Sequence, residues 1–211
     1  VNEDLKNDEI VVGDPGGKSV LVFRRTASGD VAPLRILQGP KTKLDSPYGI
    51  AVDPVHNLLI VGSHSYVTNT SSILIFNRTD QGNVAPRAII AGAKTGIIRV
   101  QQVDVDPDRG RIFVAVKNSL YQYRVKSESP SPWDINKPGF IGVWDITDSG
   151  DVPPKAVIRG AATGLIWPAG VALNPASGEI FAVDSVGNNL STFLVPQFFK
   201  KGPDSPGTIS R

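Results

Sequence analysis

The chain has no cysteine and only two histidines, His56 and His64, among its 211 residues. The first absence excludes disulfides, thiolate metal sites and a cysteine nucleophile. The second excludes a zinc centre built from three protein nitrogens. Long apolar runs are missing too: none approaches the roughly 20 residues that cross a bilayer as a helix. No Lys/Arg cluster with interleaved aromatics occurs. The 22 basic and 20 acidic residues are spread along the whole length for a net charge of +2, so a nucleic-acid interface is not expected. The opening residues, Val1-Asn2-Glu3-Asp4, carry no secretory signal, as a mature or cut chain would look.

What the chain has in quantity is punctuation. Its 21 glycines and 17 prolines recur at fixed places rather than in blocks, which marks many turns and no disordered tract. One anchor, Gly29-Asp30-Val31-Ala32-Pro33, returns as Gly82-Asn83-Val84-Ala85-Pro86 and as Gly150-Asp151-Val152-Pro153-Pro154. A second, Gly49-Ile50-Ala51-Val52-Asp53-Pro54, returns as Gln102-Val103-Asp104-Val105-Asp106-Pro107 and Gly170-Val171-Ala172-Leu173-Asn174-Pro175. Both anchors step by the same two intervals, 53 and then 68 residues, read directly from their positions. Two independent markers in step define an internal repeat.

Each period holds four short runs of alternating, β-branched character. In the second copy they cover Gly49 to Val52, Leu58 to Val61, Ser72 to Phe76 and Pro86 to Ala91, with Asx-Pro, Gly and Asn between them as tight turns require. The third run recurs as Ser19 to Phe23 and Phe140 to Trp144. The repeats are placed at about 1–48, 49–101, 102–169 and 170–211, and the longer third period carries a Pro/Ser-rich insertion at 126–139, in a surface connection where added length costs little. Four antiparallel strands per period, repeated in tandem without helices, predict an all-β fold: a β-propeller with about four blades present. Gly49 and Gly170 suit strands crowded at an axis. Asp53, Asp106 and Asn174, each before a proline, are expected in turns rather than at a metal.

The residues Pro47-Tyr48-Gly49-Ile50-Ala51-Val52-Asp53, Asn57 to Val61 and Ile73 to Phe76 resemble the NHL-repeat propellers, as do Trp167 to Leu173, Glu179 to Ser185 and Gly187 to Leu190. The resemblance covers nearly the whole chain and includes the lactonase/NHL-like six-bladed propellers. It implies fold more sharply than function, since related propellers serve as binding scaffolds, lactonases and lyases. Aligning Glu9 to Asp14 with Leu58 to Ser63 puts Val1-Asn2 where Val52-Asp53 ends an inner strand, so the first blade is expected to lack that strand. Ser205 to Ser210 is laid on Ala32 to Leu37 as a final fourth strand. The chain is then expected to be part of a six- to eight-bladed propeller. The missing blades would come from the same polypeptide, a cleaved chain or a second copy; self-closure as four blades stays open.

In such propellers ligands meet the loops that join consecutive blades and those that join second and third strands. On that basis the candidate binding residues are His64, Tyr66, Arg99, Gln101, Lys117, Trp167 and Asp184, with Trp133 on the insertion as an exposed contact. His64 could serve as a general base but is expected to be a solvated loop histidine. The resemblance to lactonase-like propellers implies a metal-binding acid at Asp184. Ordinary turn chemistry explains its Asp-Ser-x-Gly-Asn setting better. Trp144 is expected in the core, and Phe198-Phe199-Lys200-Lys201 against a blade outside the chain. Three glycosylation sequons begin at Asn69, Asn77 and Asn189. The expected function is therefore a non-enzymatic scaffold for a protein or small-molecule ligand, without cofactor, placed outside the cell or in a periplasm. The alternative is a lactonase- or lyase-like hydrolase holding Ca²⁺ or Zn²⁺ in its channel.

Overall fold

A computed structural model describes residues 1–68, 70–117 and 138–200. They form four consecutive sheets, each an antiparallel meander that runs outward from its first strand. The first holds β1 (Asn2–Asp4), β2 (Glu9–Asp14), β3 (Ser19–Arg24) and β4 (Arg35–Gln38); the second β5 (Ser46–Asp53), β6 (Leu58–Ser65), β7 (Thr70–Asn77) and β8 (Ala88–Ile90). The third holds β9 (Arg99–Asp106), β10 (Arg111–Lys117), β11 (Phe140–Asp145) and β12 (Ala156–Ile158). The fourth has three strands among the described residues, β13 (Pro168–Asn174), β14 (Glu179–Asp184) and β15 (Asn189–Leu194). The strand expected over Ser205–Ser210, most of the insertion, Trp133 and Asn69 lie outside the described residues.

The sheets are propeller blades because of how they bury their faces. A strand's side chains alternate between faces, and the second blade uses both. Leu59, Val61, Leu74 and Phe76 pack with Val11, Val20, Val22 and Leu37 of the first blade. Leu58, Ile60, Ile73 and Ile75 pack with Val103, Val105, Ile112 and Val114 of the third. A further core joins Phe113, Ala115, Ile141 and Val143 of the third blade to Val171, Ile180 and Ala182 of the fourth. Strands buried on two faces must be apolar throughout, hence Leu-Leu-Ile-Val and Ile-Leu-Ile-Phe. Trp144 is fully buried in the second-to-third core.

Two devices lock neighbouring blades. At the inner strands, side chains cap the amides of the next blade: Asn2 Oδ1 accepts from Val52 N at 3.2 Å, and Gln102 Oε1 from Val171 N at 3.2 Å. The second and third inner strands instead come so close that a Cβ on Gly49 would lie 2.8 Å from Val103 N. At the outer edge, the Gly-Asx anchors of the second and third blades each dock on the blade before. Gly82 N donates to Ile36 O at 2.6 Å and Gly82 O accepts from Gln38 N at 3.1 Å. Gly150 makes the same pair with Ile89 and Ala91, at 2.7 and 3.1 Å. Asn83 and Asp151 then cap the short 3₁₀ turns Pro40–Thr42 and Ala93–Thr95, accepting from Lys41 N at 2.8 Å and Lys94 N at 2.7 Å. Gly92 sits at φ 127°, and a Cβ there would meet Asp151 Cγ at 2.4 Å; glycine is required on both counts.

Three expectations need correction. The first blade has its inner strand: β1 pairs with β2 and sets Asp4 opposite Glu9, as Asp53 stands opposite Leu58. Glu3-Asp4, not Val1-Asn2, therefore occupies the strand end, because Asp4 holds the following turn by accepting from Asn7 N at 3.1 Å. Phe198 and Phe199 do not wait for an absent blade. They fold back in a 3₁₀ turn, Pro196–Phe199, into the core shared with the third blade. There Phe199 stacks on Phe113 with ring centroids 5.4 Å apart, and Arg109 and Arg111 donate to the carbonyls of Phe199 and Phe198. His64 is a strand residue, 2% exposed, not a solvated loop histidine: the 8-residue strand β6 runs past the expected end at Val61.

Candidate functional site

Strand register gathers the candidates at one end of the blades. Ser46 pairs with His64, Arg99 with Lys117 and Pro168 with Asp184. The start of each inner strand thus stands beside the end of its second strand, and consecutive blades present these corners side by side.

Between the second and third blades the corner is aromatic and cationic. The Arg99 guanidinium lies over Tyr66, 5.0 Å from its centroid, and over Tyr48 at 5.7 Å. It donates to the Tyr66 hydroxyl, which is 2.7 Å from that of Tyr48. Tyr48 and Tyr66 are 40% and 49% exposed, large rings left at the surface with one hydroxyl on the cation and the other on its neighbour. His64 meets the edge of Tyr66 in a T-shaped contact at 4.7 Å. Its Nδ1 is 2.9 Å from Ser71 Oγ. Ser71 spends its proton on Ile98 O at 3.0 Å, so Nδ1 is the donor. Burial, and then the charge of Arg99, lower the pKa of His64. A neutral, buried histidine with a committed Nδ1 proton is a wall, not an exposed base.

Between the third and fourth blades Lys117 Nζ lies 3.9 Å from the centroid of the Trp167 ring. Burial, followed by the charge of Arg99, pushes the Lys117 ammonium down to about 8, with Asp184 pulling the other way. Asp184 is 1% exposed and organises the backbone beneath the tryptophan. Its Oδ2 accepts from Ile166 N and Trp167 N at 2.8 and 2.5 Å, and its Oδ1 from Val186 N and Gly187 N at 3.1 and 2.7 Å. Four amide donors occupy the carboxylate. Gln101 turns away and donates to Val100 O at 3.1 Å. Among the described residues no three His, Asp or Glu side chains converge as a metal site.

Three further residues give little sign of themselves in the sequence. Tyr48 sits inside the repeated motif, in the same inner strand as Gly49. Gln102 and Asp104 replace Gly49 and Ala51 of the second blade, a polar departure from the repeat that was the available signal. Asp104 accepts from Val105 N at 2.8 Å and from Leu173 N of the fourth blade. Its pKa is pushed up to about 6, chiefly by burial.

No family model matches the chain, and no curated protein matches it in sequence. Solved structures do match in shape. A nidogen/laminin complex aligns at TM-score 0.60 with 14% identity over 98% of this chain and 65% of the other. Saccharomyces cerevisiae Sqt1 aligns at 0.54 with 13% identity, covering 89% and 41%. Kuenenia stuttgartiensis hydrazine synthase aligns at 0.62 with 12% identity, covering 92% and 51%. The chain spans less than two thirds of the length of each. At such identities the likeness is one of fold, and it is that of the β-propeller class.

Proposed function

We propose that this β-propeller is an NHL-like, non-enzymatic binding scaffold whose ligand or protein partner meets the rim formed by Tyr48, Tyr66, Arg99, Lys117 and Trp167. One observation carries this reading: two adjacent blade corners present partly exposed aromatic rings stacked on cations. Tyr, Trp and Arg are the residues on which binding energy concentrates. His64 and Asp184 support the rim from below, His64 through its Nδ1 and Asp184 through both carboxylate oxygens. Further blades complete the ring in this reading. The outer face of the first blade leaves Val31, Leu34 and Ile36 exposed by 42–45%, and among the described residues its Gly29-Asp30 anchor makes no docking contact of the kind Gly82 and Gly150 make.

The test is a screen of displayed peptides and small molecules against the immobilised chain, with a Tyr66→Ala/Trp167→Ala double variant as the counter-screen. The reading expects ligands that the native rim retains and the variant loses at least tenfold. Ligands indifferent to the variant would refute the rim.

A further inference from the structure

Resting on the rim as the binding surface, the geometry points to an oxyanion, a carboxylate or phosphate group carried on a ring-bearing ligand, as what Arg99 and Lys117 hold together. The two cations are not merely near each other. They are a directly opposed pair of the β9–β10 ladder, so both stem from one face of the third blade, the Arg99 head reaching the tyrosines of the second blade and the Lys117 head the tryptophan of the fourth. Like charges in that relation destabilise a sheet. No ion pair neutralises them: among the described residues no carboxylate lies within ion-pair distance of either, and Asp184 acts on Lys117 only from farther off. Asp184, the acid whose charge reaches Lys117, is already held by four backbone amides. Arg99 Nε is buried with no acceptor.

The walls define the rest of the ligand. Tyr48 and Tyr66 flank Arg99, and Trp167 underlies Lys117. A group arriving between the cations is therefore bordered by rings on both sides. An oxyanion there relieves the like-charge opposition and takes charge-assisted hydrogen bonds, which exceed neutral ones in strength. A ring attached to it adds stacking, worth about a three- to tenfold gain in affinity. A cationic ligand meets two positive charges and is rejected.

The experiment is isothermal titration of the chain with phenyl phosphate, inorganic phosphate, benzoate and benzylamine, repeated on Arg99→Gln and Lys117→Gln. Phenyl phosphate or benzoate is expected to bind, the preferred one identifying the oxyanion, with inorganic phosphate weaker and benzylamine silent. Either substitution is expected to lower anion affinity at least tenfold. Each substitution relieves the like-charge pair while giving up a contact to Tyr66 or Trp167. The melting temperature therefore serves to show that each variant is folded, and a loss of anion binding in a folded variant is the supporting result. Anion binding unchanged in both variants would overturn the assignment. So would silence from all three anions. If in that case the library screen still yields ligands lost with Tyr66→Ala/Trp167→Ala, the oxyanion fails while the rim stands.

Discussion

Asp151 accepts a hydrogen bond from the backbone N–H of Lys94 across the boundary of the second and third blades, at 2.7 Å. Asn83 does the same for Lys41 one blade earlier. A net contribution of about 0.5–1.5 kcal/mol per bond is typical. Asp151→Ala and Asn83→Ala are each expected to lower unfolding free energy in urea by that amount. Asp30→Ala is the informative control. Asp30 is exposed, so its removal leaves this chain unchanged. Once a further blade is seated on the first, the same substitution should cost as much as Asp151→Ala. Equal loss in the chain alone would contradict an open first face.

Glu9 ties the first two blades together below the rim. Arg35 grips it with two hydrogen bonds of 2.8 Å, and Arg78 of the second blade adds one of 2.6 Å. The Arg35 hydrogen bond chiefly holds the Glu9 carboxyl below its usual range. The stability this supplies is complete above the ordinary value near 4.5 and is lost as pH falls through the lowered one. Glu9→Gln is expected to cost about 2 kcal/mol at pH 7 and to flatten the acid limb of a stability–pH curve. An unchanged acid limb would count against the bridge.

Asp104 works in the opposite direction. With a folded-state pKa of about 6, its contribution is present below the ordinary carboxylate value and lost as pH rises through about 6. Asp104→Asn keeps an oxygen for the Val105 and Leu173 amides without the buried charge. It is expected to raise stability at pH 7 by about 1–3 kcal/mol, measured by urea titration, and to change little at pH 4. A loss at pH 7 would show the charge itself to be useful.

Asp184 separates turn from metal. Removal of an acceptor of four amides should cost about 2–3 kcal/mol, read as a lower melting temperature for Asp184→Ala. Chelation should leave the native melting temperature unchanged. A stoichiometric Ca²⁺ or Zn²⁺ whose removal mimics Asp184→Ala would instead favour a metal at this carboxylate.

Repetition made the blades legible. The Gly-Asx-Val and Gly-Ile-Ala-Val-Asp anchors recur because each performs one mechanical task per blade, docking outward or turning inward, so their spacing exposes the architecture. The site was legible only as positions. Register places Arg99 opposite Lys117, but a one-dimensional pattern does not say that Tyr66 reaches across to Arg99 or that Lys117 settles on Trp167. His64 departs from a loop position because β6 continues through Gly-Ser-His-Ser, residues that look like a turn. Neighbouring blades bury that extension, and tertiary packing overrides local preference.

The cationic pair can be measured directly by NMR titration of the Lys117 ammonium in the native chain and in Arg99→Gln. The value expected for the native chain is about 8, moving upward when the Arg99 charge is removed and upward again when phenyl phosphate is added to the native chain. An ordinary lysine value, indifferent both to Arg99→Gln and to the anion, would contradict a shared site.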